Sequence, residues 1–141
     1  MDASTNGRAH HALLDHTGEI ELSVFAPSFA ELLAEAGRAL AELQAGALRG
    51  AEGEAVPVEA AGRDREALLV EWLNALVFLS ETQKRVFTEF AFRELSDRAL
   101  SADVRGFFPD QIHAAVKAAT YHRVRVAPRD GGLEARVVLD V

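Results

Sequence analysis

Residues 18–40 read GEIELSVFAPSFAELLAEAGRAL, and the change of period inside this stretch decides the fold. Up to Phe25 the side chains alternate. Ile20, Leu22 and Val24 share one face and Glu19, Glu21 and Ser23 the other, which is the pattern of a strand with one buried side. Pro27 and Ser28 interrupt it. Apolar residues then recur at helical spacing, with Leu32, Leu33, Ala36, Leu40 and Leu43 forming a stripe. Ser28 followed by Glu31 makes a capping box, Pro27 and Leu32 suit a hydrophobic staple, and Gly46 marks the helix end. The spacing therefore predicts a helix near 28–44 directly after a strand.

Further along, RGAEGEA (49–55) has the composition of a loop, and VPVEAAG (56–62) is a short strand whose Pro57 favours an edge position. Asp64 caps a second helix near 65–79. Leu68, Leu69, Trp72, Leu73, Leu76 and Phe78 make it more apolar than the first, as expected of the central core helix. Trp72 reads as core filler in preference to a stacking platform for a cofactor.

The remainder reads as sheet. RVFTEFAF (85–92) alternates, ALSADVRGFF (99–108) is a weaker strand broken by Gly106, and VKAATYHRVRV (116–126) alternates again. In this last strand Val116, His122, Val124 and Val126 share one phase, and Lys117, Tyr121, Arg123 and Arg125 the other. The overlapping IHAAVKAA suits a helix equally well. PRDGG (128–132) is a hairpin turn, after which LEARVVLDV returns as the final strand. The class expected is α+β, a mostly antiparallel sheet with two helices on one face. One domain spanning 13–141 is expected to follow a flexible polar arm, 1–12.

Composition narrows the function. Hydrophobic residues make up 49% and charged residues 26% of the 141 residues, which is ordinary for a globular chain. No cysteine is present, so disulfides, thiolate zinc sites and cysteine nucleophiles are excluded. The apolar runs are too short for a membrane span and no secretory leader pattern precedes them, so a cytoplasmic location is expected. The net charge is −7, from 22 acidic and 15 basic residues. Gripping a phosphate backbone needs the opposite balance. Arg123, Arg125 and Arg129 give only a local basic strip.

Three features break the pattern. Asp140 ends an apolar strand, where aspartate has low β-propensity, and the carboxylate of Val141 follows one residue later. A terminus with both groups in water explains this, and so does a cation offsetting two adjacent negative charges. Asp15, His16 and Glu19 crowd the mouth of the first strand in LLDHTGEIEL (13–22). A solvated edge or a turn cap accounts for them alone. If the last strand pairs beside the first, Glu19, Asp140 and Val141 converge as an all-oxygen cluster suited to a hard cation. Lys117 lies among alanines and valines, where its stem can snorkel to solvent or its amine can meet an anionic partner.

Four motifs in order, LLDHTGEIEL, LLVEWLNALVFL, AAVKAATYHRVRV and the closing VVLDV, together resemble the archease family over about Leu13 to Val141. The resemblance implies a small α+β protein similar to the strand-helix-strand-strand modules. It would be an accessory factor, not itself an enzyme, of the RtcB-type RNA ligase that joins RNA ends in tRNA splicing and RNA repair. It would promote guanylylation and multiple turnover of that ligase, meeting RNA only indirectly. The resemblance also implies a divalent cation, Ca²⁺ ahead of Mg²⁺ or Mn²⁺, held by Glu19, Asp140 and Val141. Lys117, with Asp15 and His16, would take part in ligase activation. The family's usual DHTAD is here DHTGE, which keeps the charge at Glu19 but sets the carboxylate one methylene further out. The first helix lacks the family's aromatic and its MTD-like ending. Two other functions fit the residues: a small metal-dependent hydrolase using the acidic cluster with His16 or His122, and a generic chaperone or RNA-binding adaptor using the arginine strip.

Overall fold

The structure is a computed structural model that describes residues 7–46 and 48–141. Strands β1 (His10–His16) and β2 (Glu19–Ala26) lead into helix α1 (Phe29–Ala45), followed by β3 (Ala51–Glu52) and β4 (Val56–Ala61). Helix α2 (Arg65–Gln83) precedes β5 (Val86–Leu95), β6 (Ala99–Phe108), β7 (Ala118–Arg129) and β8 (Gly132–Asp140). Every pairing is antiparallel, and the strands divide between two four-stranded ladders. The first runs β1-β2-β8-β7. In the second, β6 is central, with β5 on one side and both β3 and β4 on the other. Helix α1 rests on β1, β2 and β8 and also on β5, while α2 rests on β7 and also on β4 and β5. The helices thus join both ladders around one continuous core.

Local chemistry accounts for the helix ends. The Ser28 hydroxyl accepts from the Glu31 N–H at 3.2 Å, and Asp64 Oδ1 accepts from the Ala67 N–H at 2.8 Å. Each satisfies a donor that a helix start leaves free. Trp72 then fixes the two helices to each other. Its ring is fully buried, and Nε1 donates to the Leu33 carbonyl of α1 at 2.9 Å. Phe90 and Phe92 from β5 pack against the indole with centroids at 5.5 and 5.4 Å. Phe90 reaches this position because residue 37 is glycine: a Cβ there would lie 2.5 Å from the Phe90 ring tip.

The structure departs from the sequence pattern at several places, among them residues 51–52 of the expected 49–55 loop, which form the short strand β3. β1 begins at His10, so residues 10–12 pair into the sheet; residues 1–6 of the expected arm lie outside the described residues. Gly106 lies inside β6 and does not break it. A Cβ there would meet the Val86 carbonyl oxygen at 1.8 Å, so the glycine is what lets β5 lie close. Phe78 is 64% exposed, because α2 turns its other faces to the two sheets. Residues 112–117, the stretch that suited a helix, form neither helix nor strand.

β1 is an edge strand, and charge fastens it to α1. His11 donates from Nδ1 to Glu35 Oε2 at 2.6 Å and from Nε2 to Glu42 Oε2 at 3.0 Å, while Arg38 donates to the other Glu35 oxygen at 3.2 Å. Two carboxylate acceptors require both ring nitrogens to carry protons. The Glu35 hydrogen bond raises the His11 pKa above 6.5 against the opposing effect of burial, and the His11 hydrogen bond holds Glu35 below 4.5.

Two outcomes are expected. Trp72→Ala should cost about 3–5 kcal/mol in a urea titration, whereas a near-neutral result would contradict the placement of α2. The His11–Glu35 contribution should be complete between 4.5 and 6.5, the ordinary values of the two groups. It should fall as pH rises through the raised His11 pKa, and fall again in acid as Glu35 protonates. The stability gap between the natural protein and His11→Ala should therefore be wider at pH 5.5 than at pH 8.5. A gap independent of pH would contradict the ion pair.

Candidate functional site

The β1–β2 turn, the residues at the start of β7 and the end of β8 meet at one end of the first ladder. The β1–β2 hairpin turns at Thr17 and Gly18, which pairs His16 with Glu19. β8 runs antiparallel along the other side of β2 and sets Asp140 directly opposite Glu19. On the far side of β8, Ala118 is opposite Asp140, and the Lys117 N–H donates to the Asp140 carbonyl at 2.8 Å. The Val141 N–H donates to the Gly18 carbonyl at 3.4 Å. Residues opposed in an antiparallel ladder project from the same face. Glu19 and Asp140 therefore share the outer face, away from the buried Ile20 and Leu139.

The other candidates sit differently. Asp15 is opposed to Ile20, so it lies at the rim of the inner face and apart from the Glu19–Asp140 pair. The His16 backbone closes the hairpin, and its side chain lies outside the described residues. Val141 packs against the core. His122 is exposed.

Asn74, unmarked by sequence reasoning, and Arg123, placed there only in a basic strip, shape this end. Asn74 of α2 donates from Nδ2 to the Ala119 carbonyl at 3.0 Å and accepts from the Ala119 N–H at 2.8 Å. That amide clamp ties the start of β7, and with it Lys117, to the core helix. A lone amide in the apolar run LVEWLNALVFL was the available signal. The second residue is Arg123. The register jumps from Thr120↔Val138 to Arg125↔Arg136, so the intervening β7 residues bulge out of the ladder. The bulge breaks the simple alternation expected for this strand. Arg123 takes a left-handed backbone, φ 57, and donates from Nη2 to Glu19 Oε1 at 3.4 Å. Arg129 donates to Glu134 Oε2 at 3.1 Å. Two arginines of the basic strip are thus already paired with carboxylates.

Glu19 and Asp140 suit a hard cation in chemistry. Ca²⁺ takes roughly six to eight oxygens, however, and Arg123 lies against one of the two carboxylates. Among the described residues no group of three or more His, Asp and Glu side chains is placed to hold a metal ion. Nor is any described helix long and apolar enough to cross a membrane.

Residues 11–141 match the Archease protein family. The chain belongs to the archease family. Its relatives include the archease of Methanopyrus kandleri, 33% identical over 91% of this chain and 96% of that one. The archease of Archaeoglobus fulgidus is 32% identical over 93% and 98% of the two chains. Among solved structures, protein 1598 of Methanobacterium thermoautotrophicum superposes with a TM-score of 0.69 at 25% identity, covering 93% of this chain and 98% of that one. An archease from Thermotoga maritima, described as a possible chaperone, shares the fold at 21% identity with a TM-score of 0.60, over 94% and 100% of the chains. The archease match takes in every element from β2 to β8 and so the whole sheet end that gathers Glu19, Lys117 and Asp140.

The bulge yields a direct test. A non-glycine residue held at positive φ loses stability relative to glycine, while an exposed ion pair adds little. Arg123→Gly should therefore be more stable than Arg123→Ala by about 1 kcal/mol. Equal stability of the two variants in urea would contradict the left-handed bulge.

Proposed function

We propose that this protein is an accessory factor of an RtcB-type RNA ligase in the cytoplasm, promoting the ligase's guanylylation and repeated turnover without catalysing a reaction itself. Archease membership supports this reading. The observation that carries it is the gathering of three dispersed motifs at one sheet end: Glu19 opposite Asp140, and Lys117 tied through its backbone to Asp140. In this reading Lys117, exposed and anchored at its backbone, presents a positive charge beside an acidic edge. Arg123 tempers the charge on Glu19 and keeps its carboxylate from swinging free.

The same edge is where a divalent cation would bind, Ca²⁺ in preference to Mg²⁺ or Mn²⁺, with Glu19, Asp140 and Val141 as the residues that hold it. A bound cation would supply the positive charge that two neighbouring carboxylates need. Water or the ligase would complete its shell.

Multiple-turnover ligation by the cognate ligase, with and without this protein, tests the reading. Turnover should rise with the protein present, and Lys117→Ala should remove that rise while leaving the melting temperature unchanged. Asp140→Ala should hold or slightly raise stability without metal, because it relieves carboxylate repulsion. It should also abolish any rise in melting temperature on adding Ca²⁺. Full activation by Asp140→Ala would move the working surface elsewhere. A Lys117→Ala loss that tracks with unfolding would make Lys117 structural.

A further inference from the structure

The chain holds thirteen arginines and two lysines, Lys84 and Lys117, and both lysines line one groove of about 440 Å³. The groove runs between the C-terminal end of α2 and residues 112–117. On the helix side, Val77, Glu81 and Lys84 fall on one stripe; opposite them stand Ile112, Val116 and Lys117. Val77 and Val116 are buried and form the floor, whereas Ile112 is 49% exposed at the rim. Both lysines are exposed and backbone-anchored. Lys84 is the left-handed cap of α2, its N–H donating to the Ser80 carbonyl, and Lys117 is tied to Asp140.

On a chain of net charge −7, two cations and one carboxylate around an apolar floor reverse the local sign. The complement is an apolar side chain flanked by carboxylates. A concentrated phosphate charge fits less well, because this is the C-terminal end of α2, where the backbone carbonyls already carry partial negative charge. Lysine suits separate carboxylates, as a flexible point charge lacking the guanidinium's planar fork.

We propose that this groove docks an acidic segment of a partner protein, one apolar side chain over Val77 and Val116 and flanking carboxylates on Lys84 and Lys117. This deepens the ligase reading and rests on it: the segment belongs to the ligase. Lys117 then serves two neighbouring surfaces, its amine in the groove and its backbone in the acidic sheet end.

Lysine chemistry gives an unusually clean test, since amine acylation of the full-length protein marks the two groove lysines and the α-amino group. With the cognate ligase bound, Lys84 and Lys117 should both be protected from acylation. Zero-length carbodiimide coupling should join them to Asp or Glu residues within one ligase segment. Lys84→Glu and Ile112→Asp should each weaken ligase binding about tenfold or more with the melting temperature unchanged, and Lys84→Arg should stay within about twofold. Lys84 acylated at the same rate in the complex, or Lys84→Glu binding as the natural protein does, would overturn the groove alone. So would protection of both lysines by inorganic tripolyphosphate without the ligase, which would assign the groove to a phosphate ligand. A natural protein that neither binds nor activates the ligase would overturn the ligase reading, and with it this occupant.

Discussion

The register between β2 and β8 is the constraint on which the arrangement of this molecule rests. Ile20 faces Leu139, Leu22 faces Val137 and Val24 faces Ala135, and all six are buried. A slip of one residue would turn this entire set toward water and bring the outer-face residues inward, so burial fixes the register. Once it is fixed, Asp140 has no choice of neighbour: it lies opposite Glu19. The polar cluster at the sheet end is thus a by-product of apolar packing along the same two strands.

Position is transmitted from the core to this end through few connections. Trp72 couples α2 to α1 and to β5, so the helix cannot shift without disturbing both ladders. Two residues along α2, Asn74 clamps both backbone groups of Ala119. Ala119 is the second residue of β7, and Lys117 sits just before the strand, pinned in turn to Asp140. A residue in a segment without regular structure is therefore held about as firmly as the strand it precedes. The bulge in β7 then carries Arg123 to Glu19 and Tyr121 to Glu71 of α2, so the irregular part of the strand is bonded at both sides.

Much of the fold was legible in residue patterns because burial there follows a simple period. The alternation of β2, the stripe of α1 and the caps Ser28 and Asp64 needed no tertiary information. The opposition of Glu19 and Asp140 was legible only conditionally, since strand order is a long-range property. What escaped the sequence was set by contacts between elements. Gly106 looked like a breaker because single-sequence reading cannot see the Val86 carbonyl pressed against it. The β7 bulge left no periodic trace, as Tyr121, His122 and Arg123 continue the expected alternation in letters while leaving the ladder in space. Arg85 was unremarkable in RVFTEFAF, yet it is 3% exposed between the rings of Phe87 and Phe108, with Nε and Nη2 unpartnered among the described residues.

If the protein serves an RtcB-type ligase as proposed, the sheet end gathered by the β2–β8 register is the surface that meets it. Backbone amide exchange of this protein, measured free and with the cognate ligase bound, tests it most directly. Slowed exchange should concentrate at Gly18 and Glu19, at residues 112–118 and at Asp140 and Val141, with the β4–β6 edge unchanged. Slowed exchange confined to the second ladder, with the sheet end exchanging as in the free protein, would contradict it.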